Sequence, residues 1–197
     1  FLRFFNSSTF AINDPIFNRD ISFYIFDFPI FTFIQKGLLI ISILSMIYSL
    51  AIIFINSVFA GLEFSENTIM KKQMIINFSI IILLFSIGIL FSRWDILFSE
   101  TGVVYGAGYT DVNIKKNTLF FMSVLGFVLS VLVLFSFKYS LTRFVYIPTV
   151  AWVVLYIISA VIWPSVTQRL SVTPNEYVKE KKYISNNIDL TRKAYKL

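Results

Sequence analysis

NTLFFMSVLGFVLSVLVLFSFKYSLTRFVYIPTVAWVVLYIISAVIW, residues 117–163, holds two long apolar runs separated only by Lys138 to Arg143. Between Lys116 and Lys138 lie 21 residues without a charge, and between Arg143 and Arg169 lie 25. An α-helix needs roughly 20 apolar residues to cross about 30 Å of hydrocarbon, so each run is long enough to span a bilayer. The link is too short for anything but an antiparallel hairpin, which makes the two helices neighbours. Two further runs, 26 residues between Lys36 and Glu63 and 20 between Lys72 and Arg93, repeat the pattern.

The spacing therefore predicts an all-α polytopic transmembrane bundle with four spans, about 37–59, 70–92, 118–137 and 146–163. An interfacial N-terminal segment (1–36) precedes the membrane region (37–164), and a juxtamembrane linker with an amphipathic surface helix (165–197) follows it. The chain opens on Phe in a polar loop and its last helical pattern stops without a Gly or Asn cap, so it reads as a piece of a longer protein.

Composition narrows the chemistry. Hydrophobic residues make up 57% of the 197, above the roughly 45 to 50% of soluble proteins. There is no His and no Cys, which removes imidazole bases, thiolate nucleophiles, disulfides and nearly every zinc or copper site. No catalytic residue, cofactor site or metal site is assigned. The +6 formal charge is spread over loops rather than gathered on one polar face, so headgroup contact is the plainer reading and nucleic acid is not expected as a partner.

In the N-terminal segment, turn signals at Asn13-Asp14-Pro15 meet a dense aromatic run from Phe23 to Phe33, which suits the aromatic belt at headgroup depth. The alternation around Ile21 to Phe28 also fits a short strand. Span one ends at Gly61 and Glu63, and Ser65 or Asn67 caps span two. Pro148 is tolerated if span four starts near Tyr146, and Trp163-Pro164 marks its far interface. Thr173-Pro174-Asn175-Glu176 reads as a helix start, with Thr173 at the N-cap and Glu176 reaching back to it. The helix it opens has an apolar face of Tyr177, Ile184, Ile188 and Tyr195, expected to pack on the loop around Tyr105 to Asp111.

Three features invite a functional reading. Gly102 to Gly108 contains a GxxxG and a GxG, but the first is not in an apolar 20-mer and no strand precedes the second, so a tight loop is the better reading. Arg93, Asp95, Glu100 and Asp111, with Lys115 and Lys116, put a charge cluster into the link between spans two and three, on the side of both chain ends, where Asp14, Arg19, Asp20 and Asp27 could meet it. The plain interpretation is a solvated cluster of weak surface ion pairs; the sharper one is a cation or substrate vestibule. Inside the spans the polar residues are neutral, Asn56, Asn77 and serines such as Ser45, Ser49, Ser79, Ser86, Ser123 and Ser130, and these read as helix–helix packing. The absence of intramembrane charge argues against a proton relay or voltage sensor in this part.

Charge statistics leave sidedness open. The short links carry Lys71, Lys72, Lys138 and Arg143, which favours placing them in the cytoplasm, while Arg169, Lys179, Lys181 and Lys182 beside span four point the other way.

TGVVYGAGYTDVNI at 101–114, QRLSVTPNEYVKEKKYISNNIDLTRKAYKL at 168–197 and DPIFNRDISFYIFDFP at 14–29 resemble uncharacterised protein family 0182 of bacterial multi-pass membrane proteins, and the likeness covers essentially the whole chain. Its P-N-E, Y-I-x-x-N-I and T-R-x-A-Y elements correspond to Pro174, Asn175, Glu176, Tyr183, Ile184, Asn187, Ile188, Thr191, Arg192, Ala194 and Tyr195. Lys116-Asn117 stands where family members usually have Leu-Pro, and Asn can still cap span three. The resemblance implies a much longer parent in a bacterial cytoplasmic membrane, with several spans before this stretch, a large extracytoplasmic domain after it, and both ends of the stretch outside. It transfers no functional residues.

Two functions compete on these grounds. The first is a membrane module that anchors the extracytoplasmic domain, with the bilayer and the rest of the parent as its partners. The rival is a transporter or channel component whose pathway forms with the other spans; an enzyme comes third. The sequence carries no signal of oligomeric state.

Overall fold

All four apolar runs are helical in the computed structural model, which describes residues 2–60, 68–102, 104–136 and 142–196. In hydrocarbon no water satisfies the backbone, so every N–H and C=O must bond within the segment, and a helix achieves this. The α-helices are α1 (Leu2–Phe5), α2 (Phe28–Ala60), α3 (Thr68–Asp95), α4 (Lys116–Ser136), α5 (Thr142–Tyr156), α6 (Trp163–Thr167) and α7 (Glu176–Tyr195). Four helical stretches are long and apolar enough to cross a membrane: Phe23–Phe59, Ile69–Phe98, Asp111–Ser136 and Val145–Tyr195.

The segment Ile21 to Phe28 is helical, so the alternative of a strand there is overturned. Among the described residues the β-structure is an isolated antiparallel bridge between Asn13 and Asp20. The helix of span one accordingly begins well before Gly37. The expected end of that span at Gly61 and Glu63, the cap at Ser65 or Asn67, and Lys138 to Leu141 of the short link lie outside the described residues.

Pro164 and Pro174, which the sequence marks as boundaries, are passed by the helix, as is Pro29, and π-helical turns explain how. Such turns span Phe23–Asp27, Ile157–Ile162 and Gln168–Val172, ending two residues before Pro29, Pro164 and Pro174. A proline ring clashes with the carbonyl four residues before it and offers it no N–H; in a π-turn that carbonyl bonds the N–H five residues on, that of the residue after the proline. The chain therefore stays in α-, π- and 3₁₀-turns from Thr142 to Tyr195, with a local departure from helical angles at Asn175. This corrects the expected linker after Pro164 and the expected helix start at Thr173. Thr173 has helical φ −53° and ψ −42°, and its hydroxyl donates to the Gln168 carbonyl at 2.9 Å. The residue with N-cap geometry is Asn175, at φ −125° and ψ 36°, with no side-chain cap bond. Pro148 lies inside α5, which begins at Thr142 rather than near Tyr146.

The chain divides into two compact units. One comprises Thr32–Gly88 and Met122–Val154. Within it α3 and α4 approach through small side chains: Ser79 Oγ donates to the Ser130 carbonyl at 2.8 Å, and Ser86 and Ser123 are fully buried. A Cβ on Gly126 would overlap Ser86 Oγ and come within 2.6 Å of Trp152 Cζ2. Trp152 of α5 donates its indole N–H to the Met122 carbonyl of α4 at 2.9 Å, so the expected α4–α5 neighbours are in contact. Between α2 and α3, Gln35 Nε2 donates to the Leu84 carbonyl at 2.8 Å, Gln73 Nε2 to Ser49 Oγ at 3.0 Å and Asn77 Nδ2 to Ser45 Oγ at 3.2 Å. Neutral side chains thus bind helices that apolar surface alone would not hold together in lipid.

The other unit comprises Phe1–Phe31, Ile89–Phe121 and Leu155–Leu197. Both ends of the chain and the α3–α4 link belong to it. Phe23, Phe28, Phe91 and Trp94 form an edge-to-face cluster, with Phe91 and Trp94 stacked at 5.6 Å. The Arg19 guanidinium lies 4.6 Å from the Phe23 ring centre and 4.9 Å from that of Trp94.

Candidate functional site

The second unit also holds the one described region where charged side chains are buried together with backbone donors, and it is built on the glycines of the α3–α4 link. Gly106 has φ +124°, a conformation that costs glycine little and other residues much. Its N–H donates to the Ser99 carbonyl at 2.8 Å and closes the loop. Gly108 is required by proximity: a Cβ there would stand 3.1 and 3.2 Å from the two carboxylate oxygens of Glu180.

Glu180 comes from α7 and is 1% exposed. The Tyr109 N–H donates to both its oxygens, at 3.1 Å each. One turn along α7, the Tyr183 hydroxyl accepts from Asn113 Nδ2 at 2.9 Å, and one turn further Asn187 Nδ2 donates to the Tyr105 carbonyl at 2.8 Å. Residues 180, 183 and 187 share one face of a helix, so a single edge of α7 is bound along the loop from Tyr105 to Asn113. Thr110 Oγ1 adds a short hydrogen bond to Gln168 Oε1.

Asp111 is 2% exposed. Its Oδ2 accepts from Thr101 Oγ1 and from the Gly108 N–H, both at 3.3 Å, and its Oδ1 lies 3.6 Å from Lys115 Nζ. The remaining members of the expected charge cluster lie elsewhere. Arg93 Nε donates to the Lys116 carbonyl at 3.2 Å and its guanidinium covers the Phe120 ring. Asp95 precedes the 3₁₀ turn Ile96–Phe98, and Glu100 is exposed. Of Arg93, Asp95, Glu100 and Asp111, the site takes in Asp111. Among the described residues no three His, Cys, Asp or Glu side chains group as metal ligands.

The N-terminal segment contributes Asp14, whose Oδ2 accepts from the Phe17 and Ile16 N–H groups at 2.6 and 3.2 Å and from the Tyr24 hydroxyl at 3.5 Å. Asp20 Oδ1 accepts from the Ser22 N–H at 2.8 Å at the start of the first helical turn. Asp14, Tyr24, Phe98, Tyr105, Tyr183 and Asn187 stand around an open cleft of about 350 Å³ with mostly apolar walls.

Burial pushes the Glu180 carboxyl above its ordinary 4.5; the Tyr109 N–H opposes the rise, and the like charges of Asp111 and Glu176 add to it. Asp14 is likewise raised by burial, against the pull of its two backbone N–H bonds. Asp20 is held below the usual carboxylate range by Ser22. Asp14 and Asp20 bond amides of their own segment and Glu180 bonds the Tyr109 amide of another, so the chemistry these carboxylates support is the fastening of loops and segments.

The apolar face expected to pack on this loop does not do so. Tyr177 and Tyr195 are 74% and 75% exposed, and the docked edge is the polar one of Glu180, Tyr183 and Asn187. The loop is the surface predicted; the face is corrected, because open loop amides and carbonyls need polar partners more than a flat apolar stripe does. Glu180 gave no sequence signal of its own. Tyr183 and Asn187 stood in the family-like motif without an assigned task.

The whole chain, residues 1–197, matches the model of the family described as Uncharacterised protein family (UPF0182). A UPF0182 protein of Trichodesmium erythraeum is 33% identical over 200 residues, which covers 100% of this chain and 22% of that protein. One of Clostridium perfringens is 33% identical over 211 residues (100% and 23%), and one of Desulforamulus reducens is 28% identical over 204 (100% and 21%). The chain thus spans about a fifth of the length of these curated relatives. No solved structure matches it.

Proposed function

The chain belongs to the uncharacterised protein family UPF0182, and from that premise we propose that it is a membrane module that anchors the remainder of a longer bacterial protein and holds it in a set position. In this reading the four spans sit in the cytoplasmic membrane, both ends of the stretch face the extracytoplasmic side, and the partners are lipid and the rest of the same parent. The division into an interfacial segment, a membrane region and a juxtamembrane helix describes its parts.

One observation carries the proposal: the helix that leaves span four continues to Tyr195 and is fastened along one edge to the α3–α4 loop by the buried Glu180. A helix meant only to trail from the membrane needs no buried carboxylate to hold it. A connector that fixes the direction of what is attached does, because burying a charge is unfavourable unless the bonds it makes define a geometry.

The test uses spin labels at Glu100 and Ser185, both exposed, in the full-length protein reconstituted in a bilayer. The native protein should give a narrow distance distribution and Glu180→Ala a broad one. Equal widths in the two would overturn the positioning role, and release of the native protein from membranes by alkaline carbonate would overturn the anchor.

A further inference from the structure

Helix α7 has two edges, and the loop takes only one of them. At 3.6 residues per turn, or about 100° per residue, Tyr177, Ile184, Ile188 and Tyr195 lie within about 20° of one line along the helix, while Glu180, Tyr183 and Asn187 centre roughly 90° away. The first set is the apolar stripe of the helix. It is largely open: Tyr177 is 74%, Ile188 46% and Tyr195 75% exposed, with Ile184 half-buried. Aligned aromatic and branched side chains left bare on a polar helix mark a contact surface.

We infer that this stripe is the docking surface for a part of the same full-length polypeptide lying outside these 197 residues. The inference rests on the anchor reading and deepens it by naming where the anchored part is held. Three observations select this occupant. The relatives carry about four-fifths of their length outside the matched stretch, so a tethered partner is present at high effective concentration. Tyr177 lies fourteen residues beyond Trp163, the residue that the sequence marks as the far interface of span four, through α-, π- and 3₁₀-turns, or on the order of 20 Å of helical chain. That exceeds the 5 to 8 Å or so of headgroup region outside the hydrocarbon core, which disfavours lipid as the cover. Charge supplies the third: α7 has five basic residues, Lys179, Lys181, Lys182, Arg192 and Lys193, against Glu176, Glu180 and Asp189, and Glu180 is buried. The complementary surface is therefore an apolar patch with a carboxylate rim.

The experiment places a benzophenone amino acid at Ile188, and separately at the exposed Lys182 on another side of α7, in the full-length protein in native membranes. Both positions are on the surface of the helix, so folding is not at risk. After irradiation, Ile188 should attach to peptides of its own polypeptide outside residues 1–197, and Lys182 should not. A lipid adduct at Ile188, an adduct between heavy- and light-isotope copies, or no adduct at all would each overturn the inference. In a second measurement, Ile188→Cys should react with a soluble maleimide about tenfold or more slowly than Lys182→Cys, as a site reached only through local opening does. Equal rates would also overturn it. The anchor reading is judged separately by carbonate extraction and by the Glu100–Ser185 distance, so either can fail while the other stands.

Discussion

The two compact units fasten their segments by different means. In the unit of Thr32–Gly88 and Met122–Val154, contacts between helices use serine hydroxyls, a glutamine, an asparagine and an indole, all neutral, with Ser86 and Ser123 fully buried. In the unit holding the chain ends, carboxylates are added to the neutral bonds of Tyr183 and Asn187: Glu180, Asp111 and Asp14 each bond to backbone N–H groups of a loop. The difference follows from the surroundings the sequence predicts. A carboxylate within hydrocarbon is costly, whereas a loop rich in unpaired amides at the membrane edge is where a carboxylate bonds best.

The contrast is broken most severely at Gly126. A larger side chain there must displace Ser86 and Trp152, both of which are buried. Gly126→Val should destabilise the protein by about 1 to 3 kcal/mol, as overpacking does. Gly37→Val is the control, since no atom lies within 4 Å of a Cβ there. Unfolding in a mixed-micelle SDS titration should separate the two variants clearly, and equal midpoints would refute the close packing of α3, α4 and α5.

Next in size is the loop fastening. Glu180→Ala leaves the Tyr109 N–H buried without its acceptor, a loss of about 1 to 3 kcal/mol to local stability, read as faster hydrogen exchange at Tyr109. The pH dependence sharpens the point. Because burial raises the Glu180 carboxyl above its ordinary 4.5 in the folded protein, folding favours the protonated form. The stabilisation is complete below the ordinary value and is lost as pH rises through the raised one. Protection at Tyr109, corrected for intrinsic exchange, should thus fall as pH rises above 4.5, and Glu180→Gln should flatten that fall. A fall of equal size in Glu180→Gln would assign it to another group, Asp14 being the next candidate because burial raises it too.

What could be read from residues alone divides along the same line. The four spans and the α4–α5 hairpin were legible, since both follow from the length of charge-free runs and the brevity of a link. The grouping of both ends with the α3–α4 link follows from counting crossings. Gln35 was missed because Lys36 beside it set the expected start of span one at Gly37, while the helix starts earlier and takes Gln35 into the packing against Leu84. Glu180 was illegible for a deeper reason: in a helix with Lys179, Lys181 and Lys182 around it, its burial depends on a glycine 72 positions earlier leaving room for it. Arg93, Asp95 and Glu100 looked alike as charges in a link, and the fold gave each a different neighbourhood.

A smaller effect is expected in the neutral unit. Asn77→Ala removes bonds of 3.2 and 3.4 Å to Ser45 and Ser49, and hydrogen bonds between membrane helices average about 0.6 kcal/mol. The SDS midpoint should move measurably but by less than for Gly126→Val. A larger loss would mean that side-chain hydrogen bonds, rather than close packing of small residues, dominate this unit.

The smallest effect separates two accounts of one residue. As an N-cap, Thr173 would satisfy a helix-end N–H, and Thr173→Ala would cost about 0.5 to 2 kcal/mol. In the structure Thr173 is inside a continuing helix, exposed, and its hydroxyl is a donor to the Gln168 carbonyl, so it satisfies no N–H. Exposed substitutions of that kind stay within about 0.5 kcal/mol. The hydroxyl is a second donor to the Gln168 carbonyl, which already accepts the Thr173 N–H, and water can replace it at an exposed site. Hydrogen exchange at residues 176 to 179 should therefore be almost the same in Thr173→Ala as in the native protein. Marked deprotection there would restore the N-cap and, with it, a break between the helix of span four and α7.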